Sequence, residues 1–197
     1  MRFYFVSLSV CLLLLWNTAH AQLHVTVPRS RAAVMIDGKL SDAEGKDAAR
    51  VAVPNTANLY IKQAAGFVYF AVEFTGMPSG IVDLYLSPGN GHIYDLHASA
   101  KLGEREPQGG KWPDWLWWNN RDWVANVSRV DSWGKRSFLP EPVREFQLLR
   151  VRFPASVWRL RLELRAMTAQ SQTASTVVFP PGTGDQDVKD WLVLDLK

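Results

Sequence analysis

The chain has 197 residues, with 22 Lys and Arg against 19 Asp and Glu, a formal charge of +3, and 47% hydrophobic side chains. That length is one domain with room for a full core, and so small a charge excess is not the footprint of a nucleic-acid binder. The only cysteine, Cys11, lies in the N-terminal apolar run, so the chain beyond that run has neither disulfides nor thiol chemistry.

Met1 and Arg2 give a short basic start, Phe3 to Trp16 is almost wholly apolar, and Ala19-His20-Ala21 has the small-x-small form of a signal-peptidase site. Residues 1–21 are therefore expected to be a cleaved secretory signal, leaving 22–197 as a single domain. The apolar run is short for a bilayer span and no stop-transfer charges follow it, which disfavours an uncleaved anchor. No second segment of membrane length occurs. A disulfide-free exported domain suits a bacterial periplasm or exterior.

In chain order, Ser41 to Ala49 is expected to form a short helix, opened by the capping box Ser41-Asp42-Ala43-Glu44. Leu59–Lys62 and Phe67–Phe74, joined by Ala64-Ala65-Gly66, read as a hairpin with Val68, Phe70, Val72 and Phe74 on one face. Ile81–Leu86 alternates again, Ser87-Pro88-Gly89-Asn90-Gly91 is turn chemistry, and His92–Ala98 is the returning strand. Pro107 to Trp133 reads as a long loop, or a loop with a hairpin. Phe146–Phe153 and Val157–Met167 alternate, the latter with Trp158, Leu160, Leu162 and Leu164 inward, and Trp191–Leu196 is the last strand. Many short alternating strands predict an all-β antiparallel β-sandwich or barrel.

Ile36-Asp37-Gly38-Lys39-Leu40-Ser41-Asp42-Ala43-Glu44, followed by Lys46-Asp47-Ala48-Ala49, resembles the opening of carbohydrate-binding module family 9 and its relatives, with Gly45 near the position where that family carries a Trp. Val68–Phe74 is similar to its aromatic-rich strand. Val82 to Leu96 resembles its strand, Pro-Gly turn and strand ending in Tyr-Asp-Leu. Val151-Arg152-Phe153-Pro154 with Trp158-Arg159-Leu160 resembles its closing corner. The resemblance runs over about residues 34–196. It implies a jelly-roll-like sandwich of the wider DOMON-like group, which includes sugar- and haem-binding members.

Five of the chain's nine tryptophans fall between Trp112 and Trp123. A sugar ring packs its C–H face on indole while Asn, Asp and Arg bond its hydroxyls. Trp112, Trp115, Trp117, Trp118, Asn119, Asn120, Arg121 and Trp123 are therefore the candidate glycan-binding residues, against the alternative that some of these rings fill the core. Arg150 and Arg152 in one strand and Arg159, Arg161 and Arg165 in the next are the outward positions, and read as a solvated sheet face, or as cations for an acidic polysaccharide. Asp185, Asp187 and Asp190 read as a solvated acidic loop that could hold a structural calcium. His92 and His97 are five apart, which puts them on opposite sides of a strand. Glu104, Glu106, Asp114 and Asp122 could hold a glycosidase pair, but no catalytic or metal-binding motif occurs, so neither catalytic residues nor metal ligands are assigned. The sequence thus points to a secreted, non-enzymatic carbohydrate-binding protein acting in polysaccharide catabolism, with a glycan as partner. The alternatives are an envelope or protein-interaction domain of the same fold, and a haem protein using Met35, Met77 or Met167 with a histidine.

Overall fold

The computed structural model describes residues 22–32, 34–75, 80–99, 101–117, 122–126, 128–130, 132–133, 136–138, 142–167 and 173–196. The strands are β1 (His24–Thr26), β2 (Ala49–Val53), β3 (Ala57–Ala64), β4 (Phe67–Phe74), β5 (Gly80–Ser87), β6 (Tyr94–Ala98), β7 (Leu102–Arg105) and β8 (Leu116–Trp117). They continue as β9 (Trp123–Ala125), β10 (Ser128–Val130), β11 (Arg136–Phe138), β12 (Val143–Leu149), β13 (Val157–Met167), β14 (Thr173–Phe179) and β15 (Leu192–Asp195). One helix, α1 (Asp42–Lys46), precedes β2. Among the described residues no helix is long and apolar enough to cross a membrane.

The strands make two main sheets. The larger runs β1-β15-β13-β5-β6-β7-β8, with β14 also on β13, and the smaller runs β2-β3-β4-β12-β9. Among the described strands the ladders are antiparallel except β1 on β15, and an isolated parallel bridge joins Arg29 to Gln63. Period-two alternation decides which face each residue joins. Val68, Phe70 and Val72 of the smaller sheet and Val82, Leu84, Leu86, Leu160 and Leu162 of the larger are at most 1% exposed and lie in one core. Phe70 stacks across the gap on Trp158, ring centres 6.5 Å apart. The all-β sandwich expected from the pattern is what forms.

The β3–β4 hairpin turns on Ala65 and Gly66, both with positive φ (49° and 84°), the handedness that a two-residue turn between right-twisted strands requires. Helix α1 carries the expected capping box, with Ser41 as N-cap and Glu44 reaching back to it. It stops at Lys46 rather than Ala49, because Ala49 already pairs with Ile61 in the sheet. The segment from Val34 through α1 lies over the smaller sheet. There the Gly38 N–H donates to buried Glu145 at 2.6 Å, and the Lys62 ammonium donates to the Glu44 carbonyl at 2.9 Å and to Asp47 at 2.8 Å.

Two expectations are corrected here. The strand read through Phe153 ends at Leu149, where the Arg152 and Phe153 N–H groups bond back to Leu149 and Arg150 and close a turn. Arg150 and Arg152 therefore leave the stripe of outward arginines. The segment from Pro107 to Trp133 is more than a loop with a hairpin. It adds β8 to the larger sheet, crosses to the smaller as β9, and then opens the separate β10–β11 hairpin.

Candidate functional site

The side chains that could carry function lie on the outer face of the larger sheet. Strand register sets two rows across it. One runs Arg161, Tyr85, Asp95, Arg105; the next runs Glu163, Asp83, His97, Gly103, Trp117. These are the polar positions of alternating strands and would face water if the sheet were bare. Instead Asp95 is 0%, Asp83 1% and Tyr85 3% exposed, because the β7–β8 connection and the loop before β15 roof them over. Trp112 in that connection meets Tyr85 edge-on at 5.7 Å, and its Nε1 donates to Asp185 at 2.8 Å in the opposite loop. Trp191 closes on Tyr85 from the far side, at 6.3 Å, and its Nε1 donates to the Gly184 carbonyl.

Arg105 is the pin between sheet and roof. Its Nε and Nη2 both reach Asp95 Oδ2, at 2.9 and 2.8 Å. Its guanidinium carbon lies 4.0 Å from the Trp115 ring centre and 4.8 Å from that of Trp112, a cation held between two indoles. Burial pushes the Asp95 carboxyl up to about 7, and the Arg105 charge offsets only part of that rise.

Next to this pin, Trp115 and Trp117 stack 5.5 Å apart at 29°. Both lie against His97, at 5.1 and 5.6 Å, and the Lys101 ammonium is 5.2 Å from the Trp117 ring. The rings can come this close to the sheet because residue 103 is glycine. A Cβ there would sit 2.9 Å from two Trp117 ring atoms and 3.0 Å from one of Trp115. Trp117 is 41% and neighbouring Leu116 60% exposed, so the pair forms an aromatic shelf open at its outer side.

His97 sits in a hydrogen-bonded chain, with Nδ1 2.5 Å from Asp83 Oδ1 and Nε2 2.8 Å from Ser99 Oγ. Arg165 pairs with the other Asp83 oxygen. Burial, and then the Arg105 charge, hold the imidazole down to about 4, so it is neutral at pH 7. The neutral tautomer that fits donates from Nδ1 to Asp83 and accepts the Ser99 hydroxyl proton at Nε2. Ser99 in turn accepts the Lys101 N–H at 3.2 Å. The order Asp-His-Ser is that of a nucleophile relay. The chain's evident work is to lock the imidazole under the two indoles.

Of the expected glycan-binding residues, Trp112, Trp115 and Trp117 are brought together on one face. Trp123 is not with them: it is 2% exposed, stacks on Phe146 at 6.1 Å and donates Nε1 to Glu104 at 2.8 Å, so its ring belongs to the core. Trp118, Asn119, Asn120 and Arg121 lie outside the described residues. The expected row of solvated arginines is replaced by paired ones, with Arg161 on Glu163 at 2.7 Å, Arg165 on Asp83, and Arg152 on Glu104. Glu106 pairs with His92 and Asp114 is exposed, while Glu104 and Asp122 lie on the same Arg152 guanidinium, which bonds Glu104 and lies 3.7 Å from Asp122. Asp187 caps the turn before Trp191 while Asp185 holds Trp112, and among the described residues no three acidic, His or Cys side chains group as a metal site. Arg105, Asp95 and Gly103 were not singled out from the sequence, and His97 was weighed only as a metal ligand beside His92. The available signal was charged or imidazole residues alternating with Leu and Ala through β6.

No protein-family model matches the chain, and no curated protein matches it. A solved structure from Bacteroides uniformis, described as a "putative carbohydrate-binding protein", is similar with a TM-score of 0.49 and 11% sequence identity, covering 89% of this chain and 99% of that one.

Proposed function

We propose that this chain is a carbohydrate-binding protein that docks a glycan on the Trp115–Trp117 shelf. The observation that carries this reading is a stacked indole pair, anchored from beneath by Arg105 and His97 and open on its outer side. Sugar C–H groups pack on the exposed indole, and the ammonium of Lys101 and the carboxylate of Asp114, both exposed, supply hydroxyl partners at the rim. The continuation through Trp118, Asn119, Asn120 and Arg121 belongs to the same proposed site by sequence. A shelf rather than a closed pocket suits weak to moderate affinity for a long chain more than tight capture of a small molecule. The resemblance to family 9 modules points the same way, with a supporting part in polysaccharide breakdown and no reaction of its own.

Retardation in gels containing soluble polysaccharides, followed by calorimetry with the retarding sugar, tests it. Trp117→Ala should weaken binding roughly tenfold or more while the melting temperature stays within a few degrees. Absence of any retained glycan, or equal retention by the variant, would remove the shelf as the site. Export through residues 1–21 is part of the reading, and mass spectrometry of the protein from its native host should place the N-terminus at Gln22. An intact Met1 would refute cleavage.

A further inference from the structure

The shelf and the roof beside it are held from beneath by one ion pair. Asp95 lies in β6 and is 0% exposed, and both Arg105 donors fall on its Oδ2, at 2.9 and 2.8 Å. Its Oδ1 is buried with no hydrogen-bond partner among the described residues. A carboxylate buried with one oxygen unsatisfied is costly in its charged form, and taking up a proton removes that cost. The other half of the pair has room to move. The Arg105 side chain is 22% exposed, and its guanidinium lies against the Trp115 and Trp112 rings at 4.0 and 4.8 Å. Once Asp95 is neutral, that guanidinium has lost its counter-charge under the rings while water stays within reach, and an unpaired cation at a half-dry site moves toward water. Trp115 stacks on Trp117, so a shift of Arg105 is passed to the exposed ring.

The groups around Asp95 leave it as the one whose change of charge reaches Arg105 near neutral pH. Arg105 faces it from β7 and Tyr85 from β5, with Arg161 and Glu163 beyond on β13. His97 is two residues along its own strand, and Asp185 closes the roof through Trp112. Burial pushes the Asp95 carboxyl up to about 7, with Glu163 adding to the rise and Arg105 opposing it. His97 is held down to about 4, and burial pushes the Tyr85 hydroxyl further above its ordinary range, so neither changes charge between pH 5.5 and pH 8.

We propose that Asp95 is a proton-controlled latch on the shelf: as a carboxylate it keeps Arg105 under the indoles and the glycan site assembled, and as an acid it releases them. This regulation rests on the shelf reading, and two measurements keep the fates of the two apart. Near-UV circular dichroism of the glycan-free protein should titrate with a midpoint near pH 7 while the far-UV spectrum stays constant. Asp95→Asn, the same shape without the charge, should hold the low-pH spectrum throughout. Arg105→Gln should do so too, and it answers the question if Asp95→Asn fails to fold. Glu145→Gln, which removes the other carboxyl raised to about 7, should keep the wild-type titration. Calorimetry with the retarding glycan reads the consequence. With only about 3% of chains carrying the carboxylate at pH 5.5, affinity there should be about tenfold or more below that at pH 8, and in Asp95→Asn it should be weak and independent of pH. By reciprocity, saturating glycan should move the spectral midpoint to lower pH. The latch is overturned if the spectrum does not titrate, if the titration survives Asp95→Asn, or if glycan binds equally at both pH values. Absence of binding even at pH 8 removes the shelf reading and the gate with it, whereas equal binding at both pH values removes the gate and leaves the shelf.

Discussion

Gly103 shows how much of the shelf rests on a missing methyl group. It sits on β7 between His97 and Trp117 in register, and the space a Cβ would fill is already taken by rigid indole carbon. Gly103→Ala should therefore push both rings off the sheet, at a cost of about 1–3 kcal/mol for overpacking against side chains that cannot bend away. Near-UV circular dichroism should report the changed indole coupling and calorimetry a loss of glycan affinity, while far-UV spectra stay those of the folded sandwich. Unchanged affinity with a changed near-UV spectrum would mean that the stacked pair is not where sugar binds. The same residue explains a gap in what the sequence revealed. The tryptophan cluster was legible by composition, but a glycine in a short strand is silent until a ring is seen lying on it. Trp123 shows the converse: it shares the cluster's composition, yet its place on β9 turns it inward.

At the scale of elements, α1 and the segment before it were legible because capping chemistry is local: Ser41 and Glu44 are three residues apart and need no tertiary information. What the segment docks on was not legible, since Glu145 lies on β12, far along the chain. That carboxyl is pushed up from an ordinary 4.5 to about 7, chiefly by burial, with the charges of Glu44 and Asp37 adding to the rise and the Gly38 N–H opposing it. A carboxyl raised in the folded chain holds its proton more tightly there than in the unfolded chain. Its contribution to stability is thus complete below about 4.5 and is lost as the pH climbs through about 7. Glu145→Gln keeps an oxygen to accept the Gly38 N–H and removes the titration. Urea unfolding at pH 5 and pH 8 should show the variant gaining on the wild type mainly at pH 8, by up to about 3 kcal/mol. An equal offset at both values would show that Glu145 does not titrate between them. The comparison cancels the opposite drift from His97, whose depressed imidazole loses stability as the pH falls below about 6.5 toward 4.

For the whole molecule, sheet pairing was legible wherever alternation was clean. Val157–Met167 put Trp158, Leu160, Leu162 and Leu164 inward as expected, and all four are at most 1% exposed. Alternation misled on the outer face of the larger sheet, because it marks a residue as pointing away from the core without saying whether another layer covers it. That added layer is why the described tryptophans divide into different jobs, and stability separates two of them. Trp158 is fully buried between Phe153, at 5.7 Å, and Phe70 of the opposite sheet, so it joins the two layers that must form for the chain to fold. Trp117 touches only the outer face and ends in solvent. Trp158→Ala should cost about 3–5 kcal/mol, the range for emptying a large aromatic site in a core, and should weaken glycan binding only in proportion to the unfolded fraction. Trp117→Ala should cost under about 1 kcal/mol and abolish most of the binding. Thermal unfolding of both variants, measured with and without saturating glycan, decides between the two roles: a ligand that binds only the folded form raises the melting temperature of Trp158→Ala as it does the wild type, and leaves that of Trp117→Ala unmoved. If the two variants lose equal stability, the shelf is structural packing and the tryptophans of the β7–β8 connection serve the fold alone.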